Sequence, residues 1–225
     1  MNPTSEQPLG LAVITGATGG VGLEIAKGLA QAGYGIILGA RSEKRGTEAV
    51  TAIGSVAARP ASIQRCPLDL ASLASVAAFA SALPDGPIDR LVLNAGAMLT
   101  SRKETEDGFE MMFGTNVLGH FALISHVLDR VLAAHAPRVI TQSSESHRSG
   151  HLNPQDLQHT TISRPWSPTT TPNKPNTYWP SSWTAGTRTP AASSASRAGS
   201  SPISVATCPV PTCCSEVRTR SATSS

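Results

Sequence analysis

One local pattern near the start of the chain constrains it more than any other: a short apolar run, a glycine-rich turn and an amphipathic stretch, in that order. Residues 9–15 (LGLAVIT) are apolar and end against Gly16, as a buried parallel strand does. Residues 20–32 place Val21, Ile25 and Leu29 at helical spacing and stop at Gly33. A strand that leads at once into a helix returns to its sheet by a crossover, so the next strand runs parallel to it.

The pattern repeats. Residues 35–40 form a second buried-type strand, and Ser42 is placed to cap a helix running to about Ile53, with Glu43 in its first turn. A weaker strand follows at 63–68, an Ala-rich helix at 72–83 and a fourth strand at 89–93. Residues 108–134 carry a long helical pattern through Phe109, Met112, Phe113, Val117, Phe121, Leu123, Val127 and Leu128, before a fifth strand at 139–143. The alternation predicts an α/β chain: a Rossmann-type, doubly wound parallel sheet with helices on both faces, broken off after its fifth strand. Ligands on such sheets bind beyond the carboxyl ends of the strands, so residues that follow strands are the candidates.

Composition separates the chain into two parts. Residues 1–150 hold 12 Lys and Arg against 13 Asp and Glu, whereas residues 151–225 hold 6 against 2, so the formal net charge of +3 belongs to the tail. Ser, Thr and Pro make up 37 of those last 75 residues, a composition that buries too little to offset the entropy of ordering. The expected organisation is a disordered 1–8, a folded domain at 9–157 and a disordered tail at 158–225. So sparse a charge argues against nucleic acid as a partner. No uninterrupted apolar run approaches a membrane span, and residues 1–8 lack the basic and apolar regions of a secretory signal. A cytoplasmic location is the expectation. The four cysteines do not make a disulfide scaffold, and Cys213 and Cys214 fit no redox motif; His147 and His151 have i,i+4 spacing, but Ser149-Gly150 between them suggests a loop and no cysteine stands at ligand spacing, so no metal site is expected.

The turn between the first strand and helix reads Thr15-Gly16-Ala17-Thr18-Gly19-Gly20-Val21-Gly22. Glycines let the backbone approach a pyrophosphate, and the helix that follows offers free N–H groups. A plain tight turn is the alternative. The spacing Thr-Gly-x3-Gly-x-Gly resembles the nucleotide loop of the short-chain dehydrogenase/reductase family. Further motifs follow in order: Asp69-Leu70 after the third strand, Asn94-Ala95-Gly96 after the fourth, Asn116 in the long helix, and Ser143-Ser144 after the fifth. The resemblance covers about residues 9–157. Within the family, the stretches Asp107-Gly108-Phe109-Glu110, Asn116-Val117-Leu118-Gly119-His120-Phe121 and Ser144-Glu145-Ser146-His147 are similar to the branch of retinol dehydrogenases and the WW-domain-containing oxidoreductase. The resemblance implies hydride transfer between a nicotinamide cofactor and an apolar carbonyl or alcohol. It places Gly16, Thr18, Gly20, Val21 and Gly22 on the pyrophosphate, Asp69 and Leu70 by the adenine, and Asn94, Ala95 and Gly96 along the cofactor cleft. Asn116 and Ser144 take the catalytic positions.

The second strand ends Gly39-Ala40-Arg41, without the acid that would hydrogen-bond a ribose 2′-hydroxyl. Arg41 suits a 2′-phosphate as a charged planar donor, with Lys44 and Arg45 adding field, so NADP(H) is the expected cofactor. A solvated basic helix start is the other reading.

The family's proton donor is a Tyr whose pKa is lowered by a Lys four residues on. The chain has no Tyr-x-x-x-Lys: its tyrosines are Tyr34 and Tyr178, and the last lysine, Lys174, precedes Tyr178. Without that pair, Ser144 reads equally as an ordinary strand-end serine. Shifting the reading frame past Trp166 allows Tyr at the Pro168/Thr169 junction, Ser at Thr171/Pro172 and Lys at Pro172/Asn173, which is Tyr-x-x-Ser-Lys. The same frame forces Leu at Tyr178/Trp179, Ala at Trp179/Pro180 and Asp at Trp183/Thr184. The tail is therefore expected to be an out-of-frame translation, with a phosphorylated interaction segment as the alternative. Two functions remain open: an oxidoreductase whose turnover is in doubt, and a non-catalytic NADP(H)-binding or interaction protein. Relatives dimerise through the long helix and a helix after the missing motif, so a homodimer is doubtful here.

Overall fold

The computed structural model describes residues 8–58, 62–99, 101–144, 155–158 and 160. The expected disordered segments lie almost wholly outside these residues, as do Tyr178, Lys174 and the codons of the proposed frameshift. Five strands form one parallel sheet in the order β3-β2-β1-β4-β5: β1 Leu11–Thr15, β2 Gly35–Ala40, β3 Ile63–Pro67, β4 Arg90–Leu93 and β5 Arg138–Thr141. Chain order reverses at β1, which places the switch point between β1 and β4, and both strands point their carboxyl ends the same way.

The helices cover both faces, and the strands show why. Along β1 and β2, Ala12, Ile14, Ile36 and Leu38 pack with Ala26 and Ala30 of α1 (Gly20–Gln31) and Ala49 and Ile53 of α2 (Glu43–Gly54). The alternate residues Val13, Ile37, Leu91 and Leu93 pack on the opposite face. There they meet Val76 and Phe79 of α3 (Leu73–Ala82) and Leu123, Val127 and Val131 of α4 (Met111–Leu132). Side chains of a strand alternate between faces, so a strand apolar at every position requires a cover on each side. Burying this uninterrupted apolar set is the main favourable term.

α4 covers Met111–Leu132 and starts later than the helical pattern that begins at 108. Gly108 adopts φ +80° in a tight loop in which Thr105 N donates to Phe109 O at 2.8 Å. The helix opens with Met111–Phe113, widens into a π turn at Gly114–Leu118, and continues as Gly119–Leu132. It is 22 residues long and holds an 18-residue window of mean hydropathy 1.3, enough by length and composition to cross a membrane, a property that counting unbroken apolar runs overlooks because Asn116, His120 and His126 interrupt them. In the fold α4 is a core helix, with one stripe buried against α3 and the sheet. Phe121 and Leu128 of the expected apolar pattern lie instead on its outer side, exposed.

Candidate active site

The glycine loop leaves β1 at the switch point. Gly16 adopts φ +68°, and a Cβ there would stand 2.7 Å from Ala95 Cα, so both the left-handed backbone and the close approach of the 94–96 loop require glycine. At Gly22 a Cβ would run into the Asn94 amide and the Gly16 carbonyl. Ser42 and Ser72 cap α2 and α3, accepting from Arg45 N at 3.3 Å and Ser75 N at 3.2 Å, whereas α1 starts at Gly19 with no side-chain cap. The first N–H groups of α1 thus face the loop without a side-chain acceptor, as at an anion-binding helix start. Thr18 is half-buried in this loop and Val21 is exposed.

Thr15 ties the loop to its neighbour. Its buried hydroxyl accepts from both Asn94 N and Ala95 N at 3.0 Å. The Asn94 amide donates back to the carbonyls of Thr15 at 3.2 Å and Gly16 at 3.1 Å. On the other side of the 94–96 loop, Asn116 is held at both ends of its amide: Oδ1 accepts from Ala97 N at 2.7 Å and Nδ2 donates to Ala97 O at 2.9 Å. A Cβ on Gly96 would sit 3.6 Å from Asn116 Oδ1. The glycine loop, the 94–96 loop and Asn116 are therefore one contiguous surface.

Arg41 and Asp69 lie together beyond the ends of β2 and β3, their charged atoms 4.0 Å apart. The Arg41 side chain is 79% exposed, so the pairing leaves its guanidinium accessible. Arg45 reaches back toward the glycine loop, its Nη2 3.7 Å from where a Cβ on Gly19 would be. Asp69 Oδ1 accepts from Ala71 N at 3.0 Å, which fixes the turn. The Leu70 side chain is buried in the core, and its carbonyl packs where a side chain on Gly119 would go. Ser144 follows β5 at the same edge of the sheet, exposed to solvent.

Two groups in this region escaped the sequence reading of the site. His120 Nε2 lies 3.0 Å from Thr15 Oγ1, and its Nδ1 lies 3.1 Å from Asn116 O. The signal that could have found it is the i,i+4 spacing from Asn116. Glu110 caps α4, accepting from Met112 N at 3.0 Å and Phe113 N at 2.7 Å with its two carboxylate oxygens. The described tyrosine, Tyr34, precedes β2 and therefore sits at the amino edge of the sheet, roughly 20 Å of strand from the site. Its hydroxyl accepts from Arg90 Nη2 at 2.7 Å, a structural pairing far from Asn116.

The short chain dehydrogenase family model matches residues 10–153. Mouse polyprenol dehydrogenase is 41% identical over 157 residues, 67% of this chain and 47% of that one. Mouse retinol dehydrogenase 13 is 39% identical over 64% of this chain and 44% of its own length. Chicken WW domain-containing oxidoreductase is 42% identical over 60% and 33%. The chain thus spans about half the length, or less, of these relatives. Among solved structures, an uncharacterised protein from Mycobacterium paratuberculosis is 36% identical with a TM-score of 0.59, over 72% of this chain and 55% of that one. The alcohol dehydrogenase of Thermococcus sibiricus complexed with 5-hydroxy-NADP is 30% identical with a TM-score of 0.54, over 64% and 61%. With its five-stranded parallel sheet, its glycine loop at the switch point and a family match over well more than half its length, this chain belongs to the short-chain dehydrogenase family.

Proposed function

We propose that residues 9–157 bind NADP(H), as the nucleotide-binding part of an oxidoreductase acting on an apolar carbonyl or alcohol, and that this chain as written binds the cofactor without turning over. The observation that carries the first half is the accessible Arg41 guanidinium beside Asp69, next to a glycine loop whose helix lacks a side-chain cap. The fit is physical. Side chains at Gly16 and Gly22 would fill the cradle, Arg41 and Arg45 supply the charge for a 2′-phosphate, and no acid replaces Arg41 at the end of β2. The NADP-complexed relative from Thermococcus supports the same choice of cofactor. A cytoplasmic location goes with this reading.

The chemistry that a bound nicotinamide supplies is the gain or loss of a hydride. The chain's own part is to hold the cofactor and to manage the proton at the carbonyl oxygen. In this reading the Ser144 hydroxyl, exposed after β5, donates to such an oxygen, and the Asn116 amide pairs with the backbone of Ala97. What is missing is the acid. No Tyr-x-x-x-Lys occurs in the chain, and Tyr34 is tied to Arg90 at the other edge of the sheet. Binding without turnover follows.

Titration by NADPH fluorescence, beside NADH, tests the binding half, and a carbonyl-reductase assay tests the other. NADPH is expected to bind more tightly than NADH. Arg41→Ala should weaken NADPH by about 10- to 100-fold, the cost of losing one charge-assisted partner, and leave NADH nearly unchanged. Equal affinities, or an unaffected Arg41 variant, would refute the cofactor assignment. Measurable turnover would refute the role given to the missing Tyr. Sequencing the coding DNA around codon 166 decides the frameshift: bases that cannot yield Tyr across codons 168 and 169 exclude it.

A further inference from the structure

The π turn in α4 puts Asn116 at its centre and shifts the local hydrogen-bond ladder, Gly119 N donating to Gly114 O. The Asn116 carbonyl there faces His120 Nδ1 at 3.1 Å. A carbonyl only accepts, so Nδ1 carries the ring proton. In the neutral ring Nε2 is then a bare acceptor, 3.0 Å from Thr15 Oγ1. The Thr15 hydroxyl has one proton, and His120 Nε2 is nearer than its other acceptor, Val92 O at 3.5 Å. Its lone pairs receive Asn94 N and Ala95 N. Thr15 is fully buried and His120 is 2% exposed, so water does not compete for these groups.

We propose that His120 is a positioning residue that joins the glycine loop, the 94–97 loop and the Asn116 turn into one body, so that the cofactor cradle and the Asn116 carbonyl hold a fixed mutual geometry. Its link to cofactor affinity rests on the NADP(H) reading; the bridge itself does not. Desolvation of the buried ring, which lowers its pKa from 6.5 to about 4, keeps it in the neutral form this bridge needs.

The test starts on the nucleotide-free protein at pH 7. Ring 15N spectra of His120 should show the proton on Nδ1 and a bare Nε2. Thr15→Val should speed exchange of the Ala97 amide, whose N–H donates to Asn116 Oδ1, about tenfold. His120→Phe, which keeps a ring but no nitrogen, should speed exchange of the Asn94 and Ala95 amides by a similar factor. The double variant should be no worse than either single one, and Thr15→Ser, which keeps the hydroxyl, should restore protection. Thr15→Val and His120→Phe should each also weaken NADPH about tenfold, without further loss in the double. A proton on Nε2, a charged ring, unchanged Ala97 exchange in Thr15→Val, or additive effects would each overturn the proposal. If the ring and exchange results hold while the wild type fails to bind NADPH, the bridge stands and the cofactor reading fails.

Discussion

His120 makes stability depend on pH at the level of a single residue. Burial holds its folded pKa at about 4, opposed only in part by the hydrogen bond to the Asn116 carbonyl, against 6.5 for an unperturbed histidine. Between those values the unfolded chain binds a proton that the folded one refuses. Stability is therefore fully present above pH 6.5 and is lost as pH falls toward 4, by about 3 kcal/mol in all. Urea midpoints measured at pH 7, 6 and 5 should fall steadily in the wild type, with a shallower slope in His120→Phe; parallel slopes would contradict this. Gly22 makes a second residue-scale case. Gly22→Ala meets the Asn94 amide and the Gly16 backbone, and should cost about 1–3 kcal/mol in unfolding free energy as overpacking of a rigid loop. A melting temperature equal to wild type would show that the loop yields. The glycines, Asn94 and Asn116 could be singled out in the sequence because each stands in a motif of fixed spacing, and Arg41 because it ends the second strand without an acid. Thr15 and His120 join through a contact 105 residues long, which no local pattern records.

At the scale of elements, strands and helices followed from periodicity and caps. Ser42 starts α2 where a serine before a helical pattern says it should, and Ser72, read as the first residue of its helix, is the cap of α3. The start of α4 was harder to read, because Phe109 continues the apolar spacing although Gly108 adopts a left-handed turn. Glu110 decides that boundary. Its buried carboxylate satisfies two N–H groups of the first turn and sits at the positive end of the helix dipole. Glu110→Ala should lower stability by about 2 kcal/mol, and Glu110→Gln, which keeps one acceptor, by about half as much; chemical denaturation measures both. Equal losses would mean that packing, not capping, is the role of this side chain. The π turn was not read from the sequence: Gly114–Leu118 is rich in weak helix formers, which lower helix propensity without specifying a wider turn, and the Asn116 amide at its centre pairs with Ala97 across the loop.

At the scale of the whole molecule, β3 and β5 are the outer strands of the sheet among the described residues. β5 is short and alternates between exposed and half-buried residues, with Ile140 40% exposed, unlike the wholly buried β2. Phe121, Leu128 and Leu132 add exposed apolar surface on α4. An apolar edge left unpaired among the described residues recruits other chains, so this protein should self-associate on concentration. Ile140→Lys should reduce light scattering at a given concentration without changing the sheet signal in circular dichroism; equal scattering would place the association elsewhere. Saturating NADPH, at about 100 times its dissociation constant, should raise stability by about 2.7 kcal/mol if residues 9–157 bind it. By itself the sequence determined the fold class, the order of elements and the family. Those rest on local spacing: apolar runs of strand length, helical periodicity, and glycines where a backbone must turn tightly. Only the tertiary structure decided which motifs share a surface, and that a buried histidine stands between Thr15 of the glycine loop and the Asn116 carbonyl. Those depend on strand order and on burial, which arise when distant segments pack together and exclude water.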